Sequence, residues 1–145
     1  MAATTAKIGY GTLLKRGNGA TPSETFTAIA ELRSVTGPNL SLDTPDATHM
    51  ESPSAFKEIA AGMLDGGDVS IECNFLMDGT QDVTAGILLD WTNRTKRNFQ
   101  IAWVTPTAET IQFAAFVTRY TPKTPAADVM TVDITLKLTG AVSWP

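Results

Sequence analysis

One cysteine and one histidine in 145 residues exclude a good deal of chemistry before anything present is weighed. A single cysteine cannot form an internal disulfide. A tetrahedral zinc site takes several Cys or His ligands, and only two such residues exist here. A Ser-His-Asp or Cys-His nucleophilic system would have to use His49, which lies in a polar stretch with no G-x-S-x-G elbow nearby. Cys73 falls in phase with Val69, Ile71 and Phe75 and reads as a buried, inert thiol.

Long apolar runs are also missing. No stretch approaches the roughly 20 residues a bilayer requires, so membrane insertion is not expected. The first seven residues lack the apolar core of a secretory signal, which gives the expectation of a chain folded in a cytosol. Positive charge is in deficit: 11 Lys and Arg face 15 Asp and Glu, for a net charge of −4. That balance argues against tight nucleic-acid binding and would let nucleic acid slide past without sticking. Asp43 with Asp46 and Asp65 with Asp68 do not follow the EF-hand spacing and read as turn formers. Gly9-Tyr10-Gly11 and Gly17-Asn18-Gly19 lack the strand-to-helix setting and the lysine of a phosphate loop. Arg94, Lys96 and Arg97 are the one tight basic cluster, suited to a helix C-terminus or to a partner.

What the chain does have is alternation. Between 129 and 144 the even positions are Met130, Val132, Ile134, Leu136, Leu138, Gly140, Val142 and Trp144. The odd ones include Thr131, Asp133, Thr135, Lys137 and Thr139. Period two means a strand with a dry and a wet face. About 15 residues at about 3.3 Å each exceed the usual strand several-fold, which suits a sheet continued by neighbouring subunits.

The remaining signals outline one domain over 1–145, of which 1–11 reads as a flexible arm. Strands are expected at 12–15, 26–35, 69–75, 98–104 and 110–120, the last with a bulge at Ala114-Ala115. Ile29 interrupts the polar face of the second strand. Residues 39–54 are polar, acidic and too long for a simple connection, so they should project. Ser52 and Pro53 read as the start of a short helix carrying Ala55, Phe56, Ile59 and Ala60 as far as Gly62. A longer helix is expected over 81–93 from Val83, Ile87, Leu88 and Trp91, capped by Asp78 or Thr80. Residues 122–125 read as a surface turn. The sum is a mainly β fold: an antiparallel β-sandwich or open barrel, two packed sheets, with one flanking α-helix and a long projecting loop.

Several segments together resemble the major tail tube proteins of long-tailed, siphovirus-type bacteriophages. They are Ile29-Ala-Glu-Leu-Arg-Ser-Val-Thr-Gly-Pro-Asn-Leu, Asp43-Thr-Pro-Asp-Ala-Thr-His, Phe56-Lys-Glu-Ile, and Gly62-Met-Leu-Asp-Gly-Gly-Asp-Val-Ser-Ile-Glu-Cys-Asn-Phe. The closing Val132-Asp-Ile-Thr-Leu-Lys-Leu-Thr-Gly adds to the match. The resemblance implies a structural virion protein made in the bacterial host and needing no cofactor or metal. It implies hexameric rings stacked into a hollow tube through which double-stranded DNA passes without specific binding. A tape-measure protein, baseplate proteins and terminator proteins would be its partners. It also implies ring-stacking contacts in the projecting loop, at Leu42, Asp43, Thr44, Asp46, Thr48, His49, Met50 and Glu51. The wet face of the last strand, Thr131, Asp133, Thr135, Lys137 and Thr139, is the candidate lumen lining.

Other readings are a tail terminator or another tail component, a β-sandwich carbohydrate-binding or adhesin module, and a small carboxylate-dependent hydrolase. The binding module predicts exposed aromatics, whereas Trp91, Trp103 and Trp144 fall in phase with apolar neighbours.

Overall fold

A computed structural model describes residues 2–145. Seven strands form one antiparallel sheet in the order β2-β1-β7-β8-β9-β6-β3. They are β1 (Leu13–Gly17), β2 (Phe26–Ala28), β3 (Leu32–Thr36), β6 (Asp68–Asn74), β7 (Arg97–Ala102), β8 (Thr110–Lys123) and β9 (Thr131–Ser143). Two short strands, β4 (Ser41–Leu42) and β5 (Leu64–Asp65), pair separately. The long alternating segment is indeed one strand, and the register shift between Gln112 and Ala114 marks the bulge next to Ala115.

The sheet's two outer strands, β2 and β3, are consecutive in sequence. The expected single strand over 26–35 is therefore two, and residues 29–31 carry the chain from one edge of the sheet to the other. Ile29 N–H donates to the Leu14 carbonyl on β1 at 2.8 Å, and Asn74 N–H donates to the Glu31 carbonyl at 3.1 Å. Ile29 is buried, and Glu31 adopts a φ of 50° that stops the strand. The two expected layers are thus the halves of one sheet rolled into an open barrel.

Its inside is filled by one parity from each strand: Leu14, Val69, Ile71, Cys73, Phe99, Ile101, Ile111, Phe113, Ile134 and Leu136 among them. Each such side chain withdrawn from water stabilises the fold by about 1.5–3 kcal/mol. Burial pushes the Cys73 thiol up to about 11, which keeps it a neutral core side chain.

Three other expectations are corrected. The helix α1 spans only Ile87–Thr92. Before it, the Asp82 carboxylate accepts the N–H groups of Thr84, Ala85 and Gly86 and holds a turn, so Val83 lies exposed. Gly86 packs so closely on residues 80–82 that an added Cβ would meet backbone at 2.5 Å. The second helix, over 53–62, is a single 3-10 turn at Pro53–Ala55, where Ser54 and Ala55 both take positive φ. Pro122 continues β8 opposite Val132 instead of turning the chain.

Candidate assembly surfaces

Antiparallel pairing fixes which segments share an end of the barrel. One end carries the start of β1 with the N-terminal arm, the end of β9, and residues 39–65 between β3 and β6. The opposite end carries 75–86, α1 and the 124–130 connection.

Residues 39–65 are a long hairpin, eleven residues beyond the loop end expected at 54. Its ladder runs from β4–β5 through the Asp43–Met63 and Gly62–Asp43 backbone bonds to the Asp46–Ile59 bridge and the Ala47–Glu58 bond. Both arms have backbone partners, yet neither has a core. Leu40, Leu42, Met50, Phe56, Ile59, Met63 and Leu64 are all exposed, Met50 completely and Phe56 at 73%. An isolated two-stranded hairpin does not hold seven large apolar side chains in water for its own stability. Such a patch is the kind of surface that mediates binding.

The eight loop residues singled out from sequence all lie on this hairpin and are exposed. The Thr48 side chain, together with its N–H donating at 2.9 Å, holds the Asp46 carboxyl below its usual range. At the tip, the Ser52 hydroxyl donates to Glu58 Oε2 at 2.6 Å and lies 3.1 Å from His49 Nδ1; that nitrogen is 3.3 Å from the same carboxylate. A nucleophilic serine must give its proton to histidine, with the acid orienting the ring. Here the carboxylate takes the serine proton directly, so the cluster pins the tip of the turn.

The lumen candidates divide. Asp133, Thr135, Lys137 and Thr139 lie on the outward face of β9, while Thr131 is buried where the ladder begins. Across β3, β6, β9 and β8 this face is polar and rich in ion pairs. Lys123 Nζ lies 2.8 Å from Asp133 and 4.0 Å from Glu72; Arg33 reaches Glu72 at 3.7 Å, and Lys137 reaches Asp68 at 3.5 Å. The hydrogen bond to Asp133 holds Lys123 above the usual ammonium range. Three acids against Arg33, Arg119, Lys123 and Lys137 leave this face with one positive charge in excess, so the chain's excess of negative charge does not gather here.

The basic cluster also divides. Asp90, on α1 and fully buried, accepts from Arg16 Nε at 2.6 Å and Nη2 at 2.8 Å and from Arg97 Nε at 3.0 Å. This ties the helix to β1 and β7 inside the barrel end. Gln81, also fully buried, donates to the Ala30 and Asn74 carbonyls and accepts from Leu76 N–H, clamping the 29–31 link. Neither role could be read from spacing, because each also needs a distant partner, Ala30 for Gln81 at 51 residues and Arg16 for Asp90 at 74. Arg94 and Lys96 remain exposed at the α1 end, beside a half-exposed Trp91. Trp144 is exposed too and packs against Trp103 at 6.1 Å, so two of the three tryptophans are not core residues as expected.

Comparison with known proteins agrees with this architecture. In a gene transfer agent, a chain of the empty particle's tail, solved with C6 symmetry, superimposes with a TM-score of 0.77 at 22% identity. The alignment covers 97% of this chain and 99% of that one. A chain of the native gene transfer agent virion gives a TM-score of 0.78 at 19% identity, with coverages of 97% and 99%. The SPP1 tail tube gives 0.58 at 10% identity over 89% of this chain and 72% of that one. No curated protein matches in sequence. The sequence model of the Lambda phage tail tube protein family matches residues 14–145, and the chain belongs to that family: it is a structural protein of the virion tail, not an enzyme.

Proposed function

We propose that this chain builds hexameric rings that stack head-to-tail into a hollow tube, with the 39–65 hairpin as the ring-to-ring contact. The observation that supports this most directly is the hairpin itself: an ordered ladder whose large apolar side chains all face water in one copy. Head-to-tail contacts are heterologous and grow open filaments, which suits a projection at one end only. The polar face of β3, β6, β9 and β8, with most of its charges in ion pairs, is the surface suited to line the lumen. Its ion pairs leave double-stranded DNA little net charge to adhere to. A tape-measure protein inside the tube, with baseplate and terminator proteins at its ends, completes the set of partners.

The test is negative-stain electron microscopy of the purified chain over a concentration series, beside a version with residues 40–64 replaced by a short Gly-Ser linker. Tubes from the intact chain and only rings or monomers from the shortened one are expected. Tubes of equal yield from both would overturn the hairpin's role. Intact chain that stops at single rings would instead indicate a tube terminator, a protein of the kind found among the similar folds.

A further inference from the structure

The net charge of −4 resides entirely on the projecting hairpin. Asp43, Asp46, Glu51, Glu58 and Asp65 face a single base there, Lys57, and the rest of the chain carries acids and bases in equal number. Half of the bases outside the hairpin are already paired: Arg16 and Arg97 on Asp90, and Arg33, Lys123 and Lys137 on the polar face. Among the described residues, Arg94 and Lys96 are the exposed unpaired cations close together in sequence, and they sit at the end opposite the hairpin.

Their setting is rigid. Arg94 N–H donates to the Trp91 carbonyl at 3.2 Å and Thr95 N–H to the Asp90 carbonyl at 3.0 Å, so the turn is fastened to α1. The helix is in turn anchored by the buried Asp90. Trp91, 52% exposed, adds an apolar surface next to the two charges. The acids at this end, Glu24, Glu31, Asp78, Asp82 and Asp128, hydrogen-bond to neutral groups nearby and keep their charge, so the positive surface is confined to the 94–96 turn.

We propose that Trp91, Arg94 and Lys96 form the receptor for the acidic, apolar hairpin of a second copy in the adjoining ring. This rests on the stacked-ring reading above and names the surface that the hairpin meets. In a head-to-tail stack the hairpin end of one barrel faces the helix end of the next. The two cations then oppose the acidic tip, and the indole receives Met50 or Phe56, contacts that thioether and aromatic groups favour. The opposite charge local to the 94–96 turn also favours this pairing over hairpin meeting hairpin, which would set like charge against like.

The experiment uses three full-length variants: a receptor variant Arg94→Glu with Lys96→Glu, a hairpin variant Asp46→Lys with Glu51→Lys, and the chain carrying all four changes. Tube mass is read by sedimentation and electron microscopy at salt from about 0.1 to about 1 M, where the screening length falls from about 10 to about 3 Å. Each double variant should lose tube mass by about tenfold or more, since contacts repeated around a ring multiply, while still forming rings. The four-fold variant should recover tubes. A receptor variant that stacks at the wild-type yield, or a four-fold variant no better than either parent, overturns the receptor. Trp91→Ala provides a neutral check and should weaken stacking at all salt concentrations. Wild-type chain forming neither rings nor tubes would overturn the stacked-ring reading itself, and the receptor with it.

Discussion

The barrel and the hairpin treat the same residue types in opposite ways. In the barrel, Ile134, Leu136, Phe99 and Ile101 are wholly withdrawn from water, and the polar groups inside, Asp90 and Gln81, are hydrogen-bonded. In the hairpin, Leu42, Met50, Phe56 and Met63 face solvent, and the segment is held by backbone bonds and a few polar side-chain contacts, with no apolar core. One region is finished by its own fold; on the proposal above, the other is finished by another copy. Hydrophobic residues would then stabilise the monomer in one place and the assembly in the other, and mutations should separate the two.

The largest effect on folding is expected at Asp90. Asp90→Ala leaves Arg16 and Arg97 pointing into the barrel end without a counter-charge, at a cost of about 3–5 kcal/mol. Urea denaturation of the free chain reads this directly. A loss under about 1 kcal/mol would mean the two guanidiniums escape to water and the ion triad is not a clamp. Gln81→Ala comes next. It removes the partner of the Leu76 N–H and of two half-buried carbonyls, which costs about 1 kcal/mol or more and should loosen the 29–31 link. Hydrogen exchange at Ile29 and Glu31 would rise ahead of the rest of the sheet.

These two positions also show where the sequence stopped being informative. The β9 alternation is legible because Val132, Ile134, Leu136 and Leu138 all face one core, and Cys73 follows the same rule, whereas Met130, Gly140 and Trp144, in the same phase, lie exposed beyond it. Period reports which side of an element is dry, and it reports nothing about which distant segment supplies a polar partner. The break at Ile29–Glu31 left one trace, an apolar residue on a polar face, and the fold uses that residue to close the barrel. Both helix expectations overreached because an apolar repeat was given more weight than turn chemistry. Asp82 takes the backbone donors before α1, and residues 57–62 pair with the other hairpin arm instead of with themselves. The projecting segment itself was legible as acidic and proline-bearing, and its lack of core was hidden only by the expected helix.

The comparison sharpens at Phe56. Phe56→Ser removes a large apolar group that touches little in one copy, so the free chain should keep its stability within about 0.5 kcal/mol. Tube formation should nevertheless fail or require much higher protein concentration, read by light scattering. If Phe56→Ser instead lowered the urea midpoint of the monomer as a core substitution does, the hairpin would belong to the barrel's own fold and the division argued above would collapse.

The smallest effect concerns pH. Thr48 holds the Asp46 carboxyl below its usual value, so the folded hairpin binds that proton less readily than an unfolded chain. A depressed carboxyl contributes its stabilisation above the unfolded value, near pH 4, and loses it as pH falls through the folded value. The group is fully exposed, so the change is confined to the hairpin. On acidification toward pH 3, NMR signals of residues 46–48 should shift before those of Ile134 or Phe99 do. Core signals moving together with the hairpin's would mean that the two regions melt as one cooperative unit. The same titration acts twice on assembly, because protonating the hairpin carboxylates also removes the charge offered to Arg94 and Lys96. Tubes should therefore dissociate in acid before the barrel unfolds, and the interval between those two transitions measures how independent the regions are.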